Sequence, residues 1–218
     1  MEQKILKDWQ ESVLRLLAKE KDFQNFYLSG GTALAAYYEY HRISDDLDFF
    51  SFEAIDSTFI HAIASKIKDI LNAKEMRFSR LYDRNQFFYL MQDGDNEAKI
   101  EFSKYPFKQL KPTINFDGIT VDSEYDLAVN KLAALLDRFD PKDFVDMYFL
   151  LQKYSLAEIR EGYEKKFGTK TDPIFLGSEL NKASRIEALP KMIKKLNVDE
   201  LKTFFIDLST KLKPEILE

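Results

Sequence analysis

The sequence contains no cysteine among its 218 residues, and this absence excludes several classes of protein. A disulfide framework, a thiolate zinc site and a cysteine nucleophile are all ruled out. Glycine and proline are scarce, at 7 and 6 residues, which favours regular elements over long loops. No apolar run approaches the roughly 18 residues that cross a membrane, and the N-terminus lacks the apolar core of a signal peptide. We therefore expect a cytoplasmic protein.

The composition indicates a folded chain with a substantial core. Hydrophobic residues make up 45% of the sequence and aromatic residues 14%, so the chain is not of the disordered class. Its length suits one large domain or two small ones that share an interface. The formal net charge of −5 argues against an extended non-specific nucleic-acid surface, although a local one is compatible with it.

Apolar periodicity divides the chain into a mixed α/β part and an all-helical part. In the first part it predicts helices at 3–19, 32–40 and 59–71, and strands at 26–29, 46–52, 76–82, 86–92, 98–105 and 119–121. Thr32 is expected to cap the second helix. The inner side of the third helix is predicted to carry Phe59, Ile63, Ile67, Ile70 and Leu71.

From residue 124 onward the pattern is helical, with helices predicted at 124–138, 142–154, 156–167, 173–187 and 198–211. The segment Asp93-Gly94-Asp95-Asn96 has hairpin-turn chemistry. The boundary falls near residues 112–123, so we predict two domains, 1–115 and 116–218. The fold class is α+β, with a mixed sheet and flanking helices followed by a helical bundle.

The most informative stretch is LSGGTALAAYYEYHRISDDLDFF, which joins a glycine turn to a pair of acids. Asp46 and Asp48 lie on the same face of a predicted strand, with Cα atoms roughly 6.6 Å apart, and can converge on one or two divalent cations. Ahead of them, Gly30 and Gly31 permit close backbone approach to a phosphate, to which Thr32 can also donate. Carboxylates beside a phosphate cradle indicate transfer of a nucleotidyl or phosphoryl group.

A third acid is needed if two cations are bound, and Glu101 is the candidate. It is a single acid between large apolar residues on a predicted central strand, and it faces either solvent or a functional cleft. In the mechanism that we favour, Asp46 and Asp48 bind both Mg²⁺ or Mn²⁺ ions. One ion travels with the triphosphate, and Glu101 holds the other, which activates the attacking hydroxyl while pyrophosphate leaves.

Two further residues precede the second strand. Arg42 is expected either to hold the triphosphate or to act as a counter-ion for Asp45, and both alternatives stay open. Ser44 could donate to a phosphate or fix an aspartate. Asp45 has the opposite strand parity to its acidic neighbours and should point away from the cations. His41 is expected to be a packing or surface residue.

These residues resemble the AbiEii-type nucleotidyltransferase toxin family, within the polymerase-β-like nucleotidyltransferase superfamily. The superfamily pattern of two small residues followed by Asp-x-Asp is matched by Gly30-Gly31 and Asp46-Leu47-Asp48. The narrower pattern, GGTAL and then HR-x-S-x-D-x-DFF, is matched by residues 30–34 and 41–50. A further resemblance covers a lysine in an apolar helix, an arginine and a basic-Asp-x-x-Asp segment, here Lys131, Arg138 and 142–146.

The resemblance implies that Lys131 contacts the nucleotide and that Asp143 or Asp146 serves the site, with no choice between the two acids. It also implies a bilobal fold, a nucleoside triphosphate (NTP) and Mg²⁺ as cofactors, an RNA acceptor such as a tRNA end, and a cognate antitoxin. We therefore expect a metal-dependent nucleotidyltransferase toxin. The alternatives are a nucleotidyltransferase that modifies a small antibiotic-type acceptor and a nucleotide-binding partner protein without turnover.

Overall fold

Seven strands form a mixed sheet in the computed structural model, which describes residues 5–92 and 96–212. The strands are β1 (Phe26–Ser29), β2 (Asp46–Ser51), β3 (Glu75–Leu81), β4 (Arg84–Leu90), β5 (Glu97–Lys104), β6 (Ile114–Phe116) and β7 (Ile119–Val121). Their order across the sheet is β3-β4-β5-β2-β1-β7-β6. The β2–β5 and β1–β7 pairs are parallel, and the other pairs are antiparallel.

The described residues form eight α-helices, most of which begin at a capping side chain. They are α1 (Asp8–Leu17), α2 (Gly30–Leu34), α3 (Ser57–Ile70), α4 (Glu124–Asp137), α5 (Pro141–Leu150), α6 (Leu156–Phe167), α7 (Pro173–Asn181) and α8 (Val198–Thr210). α2 continues into a π-helical turn at Ala35–Glu39, and short 3-10 turns occur at Lys21–Asn25 and Lys182–Arg185. The caps of α3 to α8 accept backbone N–H groups and are Asp56, Ser123, Asp140, Ser155, Asp172 and Asn197.

One face of the sheet is apolar and lies against α3. Phe49 and Phe102 stack with ring centroids 5.6 Å apart, and the Tyr89 hydroxyl donates to the Ala64 carbonyl of α3. These side chains alternate along their strands with residues of the opposite face. Burial of this aromatic layer fixes the strand register, because a slip of one residue would expose it.

The opposite face is polar at its centre and packs against α4 at one end. Tyr27 and Phe50 share this face, since they are cross-strand partners, and Tyr105 stacks on Phe50 with centroids 4.7 Å apart. The Tyr105 hydroxyl donates to the side chain of Asn130 on α4 at 3.0 Å. The helical part of the chain therefore covers one end of this face. The acids of β2 and β5, which are Asp46, Asp48 and Glu101, lie on the same face next to the covered end.

The α+β fold class is confirmed, and most predicted elements lie within a few residues of those observed. The β6 strand was missed, although its turn carries the Asp117-Gly118 signal of a tight hairpin, with φ of 50° and 88°. Residues 93–95 of the turn predicted at 93–96 lie outside the described residues. None of the helices in 5–92 and 96–212 has the length and apolarity to cross a membrane.

Two local predictions were wrong. The helix after β1 begins at Gly30, and Thr32 lies inside it with its hydroxyl donating to the Asp46 carbonyl, so Thr32 is not its cap. On α3 the fully buried stripe includes Ile60 and Ala64, whereas Ile70 is 44% exposed. Ile70 lies three residues after Ile67 but turns away from the sheet at the end of the helix.

Candidate active site

The three predicted acids lie on one face of the sheet. β2 and β5 run parallel, and their register places Asp48 beside Glu101 and Asp46 beside Lys99. Side chains at matched positions of neighbouring strands point to the same side, and so do those two residues apart along a strand. The juxtaposition expected from the sequence is therefore present in the fold.

Gly30 lies directly against Asp48. β1 pairs with β2 so that Ser29 is opposite Asp48, and the chain then turns into α2 with Gly30 at φ 70°. A Cβ atom at Gly30 would overlap the Oδ2 atom of Asp48. At Gly31, a Cβ atom would lie 2.5 Å from Nη2 of Arg42 and 3.0 Å from Oγ of Ser44. Both glycines are thus required by the close approach of α2 to the strand that carries the acids.

Asp48 has no compensating partner in the described part of the chain. It forms neither a hydrogen bond nor an ion pair there, although it is largely shielded from water. Burial raises the pKa of Asp48 to about 6, and the neighbouring charge of Glu101 adds to the rise, while Lys99 opposes it. The Asp48 carboxylate is therefore stabilised by binding a cation or a proton.

Glu101 is in the opposite condition. Arg84 donates to both of its oxygens, with Nε–Oε1 at 2.9 Å and Nη2–Oε2 at 3.2 Å. Gln86 and Ser103 each donate to one oxygen at 2.7 Å. Burial would raise the pKa of Glu101, but these donors hold it below its usual range, so the carboxylate is ionised and fully engaged.

Asp46 lies nearer to solvent, with 42% of its side chain exposed, and Lys99 approaches it at 3.3 Å. Its backbone carbonyl accepts the hydroxyl of Thr32, so that hydroxyl is engaged with the protein. Within the described ranges, no group of three or more His, Cys, Asp or Glu side chains surrounds a common metal position. Asp46 and Asp48 nevertheless fit a cation, since one is unpartnered and the other has a single long, half-exposed ion pair.

Lys131 of α4 faces a pair of buried acids. Its Nζ atom lies 2.8 Å from Oδ1 of Asp143 and 2.5 Å from Oδ2 of Asp146, both on α5. Burial would lower the pKa of Lys131, but Asp146 and Asp143 raise it, so the ammonium is charged. Lys131 is linked to the glycine turn, because its partner Asp146 also binds Arg42, whose guanidinium lies against Gly31. Both acids of the basic-Asp-x-x-Asp segment therefore anchor this lysine.

Arg42 is bound to Asp146 and not to Asp45, the counter-ion partner that was one of the two alternatives for it. Its guanidinium is 2% exposed and binds Asp146 in bidentate fashion, with Nε–Oδ1 at 2.6 Å and Nη2–Oδ2 at 2.8 Å. His41, also buried, lies 2.7 Å from Asp146 through Nε2. Asp45 instead pairs with Lys7 at 2.6 Å and so points away from the site as predicted. Arg42 thereby joins the loop before β2 to α5.

Two exposed arginines bind acids of the site: sequence reasoning missed Arg84, and it named Arg138 only as part of the family resemblance. Arg84 begins β4 and Arg138 follows α4, and their side chains are 49% and 54% exposed. Burial would lower the pKa of Arg138, but its bond to Asp143 and the charge of Asp48 raise it. The sequence signal for Arg84 was its position two residues before Gln86, which puts both side chains on the same face of β4, next to the strand that carries Glu101. Without the hairpin register, that alternation could not be assigned to this face.

Comparisons with known proteins identify relatives of this chain. The chain is 32% identical over 166 residues to an uncharacterised protein of Aquifex aeolicus, covering 74% of this chain and 76% of that protein. Two solved structures share the fold. The Helicobacter pylori protein JHP933 has a TM-score of 0.60 at 19% identity, covering 95% of this chain and 90% of its own.

The second is MenT4, a nucleotidyltransferase toxin of Mycobacterium tuberculosis, with a TM-score of 0.59 at 15% identity over 94% of this chain and 81% of its own. Residues 12–214 match the family described as nucleotidyl transferase AbiEii toxin, type IV toxin–antitoxin system. The chain belongs to the AbiEii nucleotidyltransferase toxin family.

Proposed function

We propose that this protein transfers a nucleoside monophosphate from an NTP to an acceptor hydroxyl and releases pyrophosphate, with a divalent cation as cofactor. The observation that carries the proposal is the common sheet face of Asp46, Asp48 and Glu101 beside the Gly30 bend. The unpartnered state of Asp48 supports it, because a half-buried carboxylate without a partner is costly unless a ligand uses it.

Each residue has a distinct role in the proposal. Asp46 and Asp48 would hold Mg²⁺ or Mn²⁺, and Glu101 would be a third ligand. The bound cation supplies charge stabilisation to the entering and leaving oxygens of the displacement. Gly30 and Gly31 bring the start of α2 close enough for its backbone N–H groups to meet the triphosphate.

The helical part completes the site in this proposal. Lys131 presents a charged ammonium to the nucleotide and is oriented by Asp143 and Asp146, which fix its position from two sides. The predicted boundary between 1–115 and 116–218 falls within β6, and β7 also belongs to the sheet, so in this proposal the second domain consists of the helices from α4 onward. Thr32 and Ser44 support the glycine turn, and Arg42 holds the two domains together through Asp146.

The acceptor that we propose is RNA, in the cytoplasm, with the chain acting as the toxin of a toxin–antitoxin pair. Support comes from the family, whose description is a type IV toxin, and from MenT4, which is a nucleotidyltransferase toxin. A cognate antitoxin is the expected partner. Growth arrest on expression in a bacterial cell, relieved by Asp46→Ala, is the cellular outcome that we expect.

The direct test is incorporation of label from each of the four NTPs, with Mg²⁺, into total RNA, purified tRNA or a panel of aminoglycoside-type compounds. Label in RNA that disappears in Asp48→Asn is the expected result. Asp45→Asn is the matched control, because it makes the same chemical change on the opposite side of the strand and should retain activity. Label in the small compounds alone would support an antibiotic-modifying enzyme, and nucleotide binding without any product would indicate a silent binding protein.

A further inference from the structure

Arg84 stands out among the residues that contact Glu101. Gln86 is on the neighbouring strand directly opposite Glu101, and Ser103 is two residues along the same strand, so both are held by the sheet. Arg84 instead reaches Glu101 from the start of β4, with 49% of its own side chain exposed against 4% for Glu101. The guanidinium is therefore the mobile partner of a buried and fixed carboxylate.

The position of this guanidinium conflicts with the role of Glu101. A cation shared by Asp48 and Glu101 would lie beside the Arg84 guanidinium. The two positive charges would repel each other strongly, because the cleft is partly shielded from water. The Arg84–Glu101 pair thus blocks one side of the acidic site in the free protein. Lys99 adds to the block, since it lies 3.9 Å from Glu101 and 3.3 Å from Asp46.

The chemistry of the guanidinium also suggests where it goes. Its planar fork binds phosphate oxygens with the same bidentate geometry as carboxylate oxygens. Arg84 borders the acidic face, because the Glu101 side chain that it binds lies beside Asp48 in the β2–β5 register. A triphosphate entering that space would offer Arg84 a new set of anionic oxygens.

We propose that Arg84 is a positioning residue that exchanges partners during nucleotide binding. In the free protein it occupies Glu101, and when an NTP enters, it transfers to the triphosphate and leaves Glu101 free to face the cation. The inference rests on the proposed function, and it adds a coupling that the function alone does not require. Cation binding is weak until the nucleotide draws Arg84 away, so the two ligands bind synergistically.

The test compares Arg84→Gln with the unmodified protein in two binding measurements that need no acceptor. Mn²⁺ alone is titrated and followed by electron paramagnetic resonance. The α,β-methylene analogues of the four NTPs are then titrated with Mn²⁺ by calorimetry. Removal of one charged hydrogen-bonding partner is expected to change each affinity by about tenfold, in opposite directions. Mn²⁺ alone should bind more tightly to Arg84→Gln, and the nucleotide analogue should bind more weakly.

Arg80→Gln is the matched control, since Arg80 lies on the same hairpin and donates to the backbone carbonyl of Tyr82. It should leave the affinities for Mn²⁺ and for the nucleotide analogue unchanged. Arg84→Lys keeps the positive charge, so Mn²⁺ alone should bind as weakly as to the unmodified protein. The nucleotide analogue should bind more weakly, because lysine cannot bind phosphate in bidentate fashion. Thermal melting confirms that each variant is folded. If Arg84→Gln changes neither affinity, or changes both in the same direction, the exchange is overturned. If the unmodified protein binds no nucleotide with Mn²⁺, the proposed function itself fails.

Discussion

Gly30 and Gly168 have nearly the same backbone conformation, with φ of 70° and 72°, but very different surroundings. A Cβ atom at Gly168 meets no described atom within 4 Å, whereas one at Gly30 overlaps the carboxylate of Asp48. The pair separates the cost of a left-handed backbone from the cost of a collision at the site.

We expect Gly168→Ala to lower the free energy of unfolding by about 1 kcal/mol, the cost of placing an L residue at positive φ. Gly30→Ala should lower it by about 1–3 kcal/mol more, because Asp48 must move as well. Urea denaturation measures both. Nucleotide transfer should be lost in Gly30→Ala and kept in Gly168→Ala, and equal destabilisation of the two would contradict the close approach of Gly30 to Asp48.

The buried Arg42–Asp146 pair supports a second prediction at the residue scale. Burial alone would raise the pKa of Asp146, but Lys131 and Arg42 hold it well below its usual range. Arg42→Gln leaves part of this charge uncompensated, so we expect a loss of about 3–5 kcal/mol in stability. Lys165→Gln, which breaks the exposed pair with Glu161, is the comparison and should leave the stability nearly unchanged.

Sequence reasoning located the acids better than their partners. Asp46, Asp48 and Glu101 follow from strand alternation, since position within a strand decides which face a side chain occupies. The partner of Arg42 could not be read in the same way, because Asp146 is 104 residues away and belongs to a helix. Such pairings depend on how elements pack, and no local pattern encodes that.

At the scale of elements, capping side chains mark most of the helix starts in the structure, although the one cap predicted from the sequence, Thr32, was wrong. Ser155 and Glu158 form a reciprocal capping box at the start of α6, which the sequence placed correctly at both ends. The strand that was missed, β6, has only three residues. The helix predicted at 173–187 ends earlier, at Asn181, because a short 3-10 turn follows it. Short elements carry too few residues for periodicity to show.

The junction between β7 and α4 contains a buried acid with a measurable effect on stability. Asp122 is fully buried and accepts from Ser29, Asn130 and the backbone of Ser123. Burial raises its pKa from the usual 3.8 to about 6, although the charge of Lys166 opposes the rise. Since the folded state binds this proton more tightly than the unfolded chain, its stabilising contribution is complete at low pH and lost as pH rises through about 6.

Comparison with Asp122→Asn isolates this effect, because the variant cannot ionise at that position. The free energy of unfolding of the unmodified protein, relative to the variant, should decrease between pH 4 and pH 7.5. A shift of about two pKa units corresponds to about 3 kcal/mol. Urea denaturation at several pH values measures the difference. A difference that does not vary with pH would show that Asp122 has its ordinary pKa in the folded protein.

At the scale of the whole molecule, the sheet and the helical part are joined by backbone as well as by charge. The N–H of Ile43 donates to the Lys191 carbonyl at 2.9 Å, and the N–H of Ile193 donates to the His41 carbonyl at 2.8 Å. Arg42 and Met192 form the antiparallel bridge between these bonds. The segment near residue 192 thus adds a short strand pairing beside the Arg42–Asp146 pair.

We therefore expect one cooperative unfolding transition rather than two. The single tryptophan, Trp9, lies on α1 and reports by fluorescence on the part of the chain that contains the sheet. Far-ultraviolet circular dichroism is dominated by helices, most of which follow β7. The two signals should give the same urea midpoint, because the joint between the parts is buried. Separate midpoints would indicate that the two parts fold independently.

The parallel pairing of β2 with β5 bears on when this protein can become harmful to the cell that makes it. The strands that bring Asp48 beside Glu101 are separated along the chain by α3 and the β3–β4 hairpin, and Lys131 gains its anchors only from α5. A growing polypeptide on the ribosome therefore lacks the assembled site until residue 146 has emerged. Synthesis that stops earlier yields a chain without the assembled site, so under the proposed function we expect any product that ends before residue 146 to be harmless.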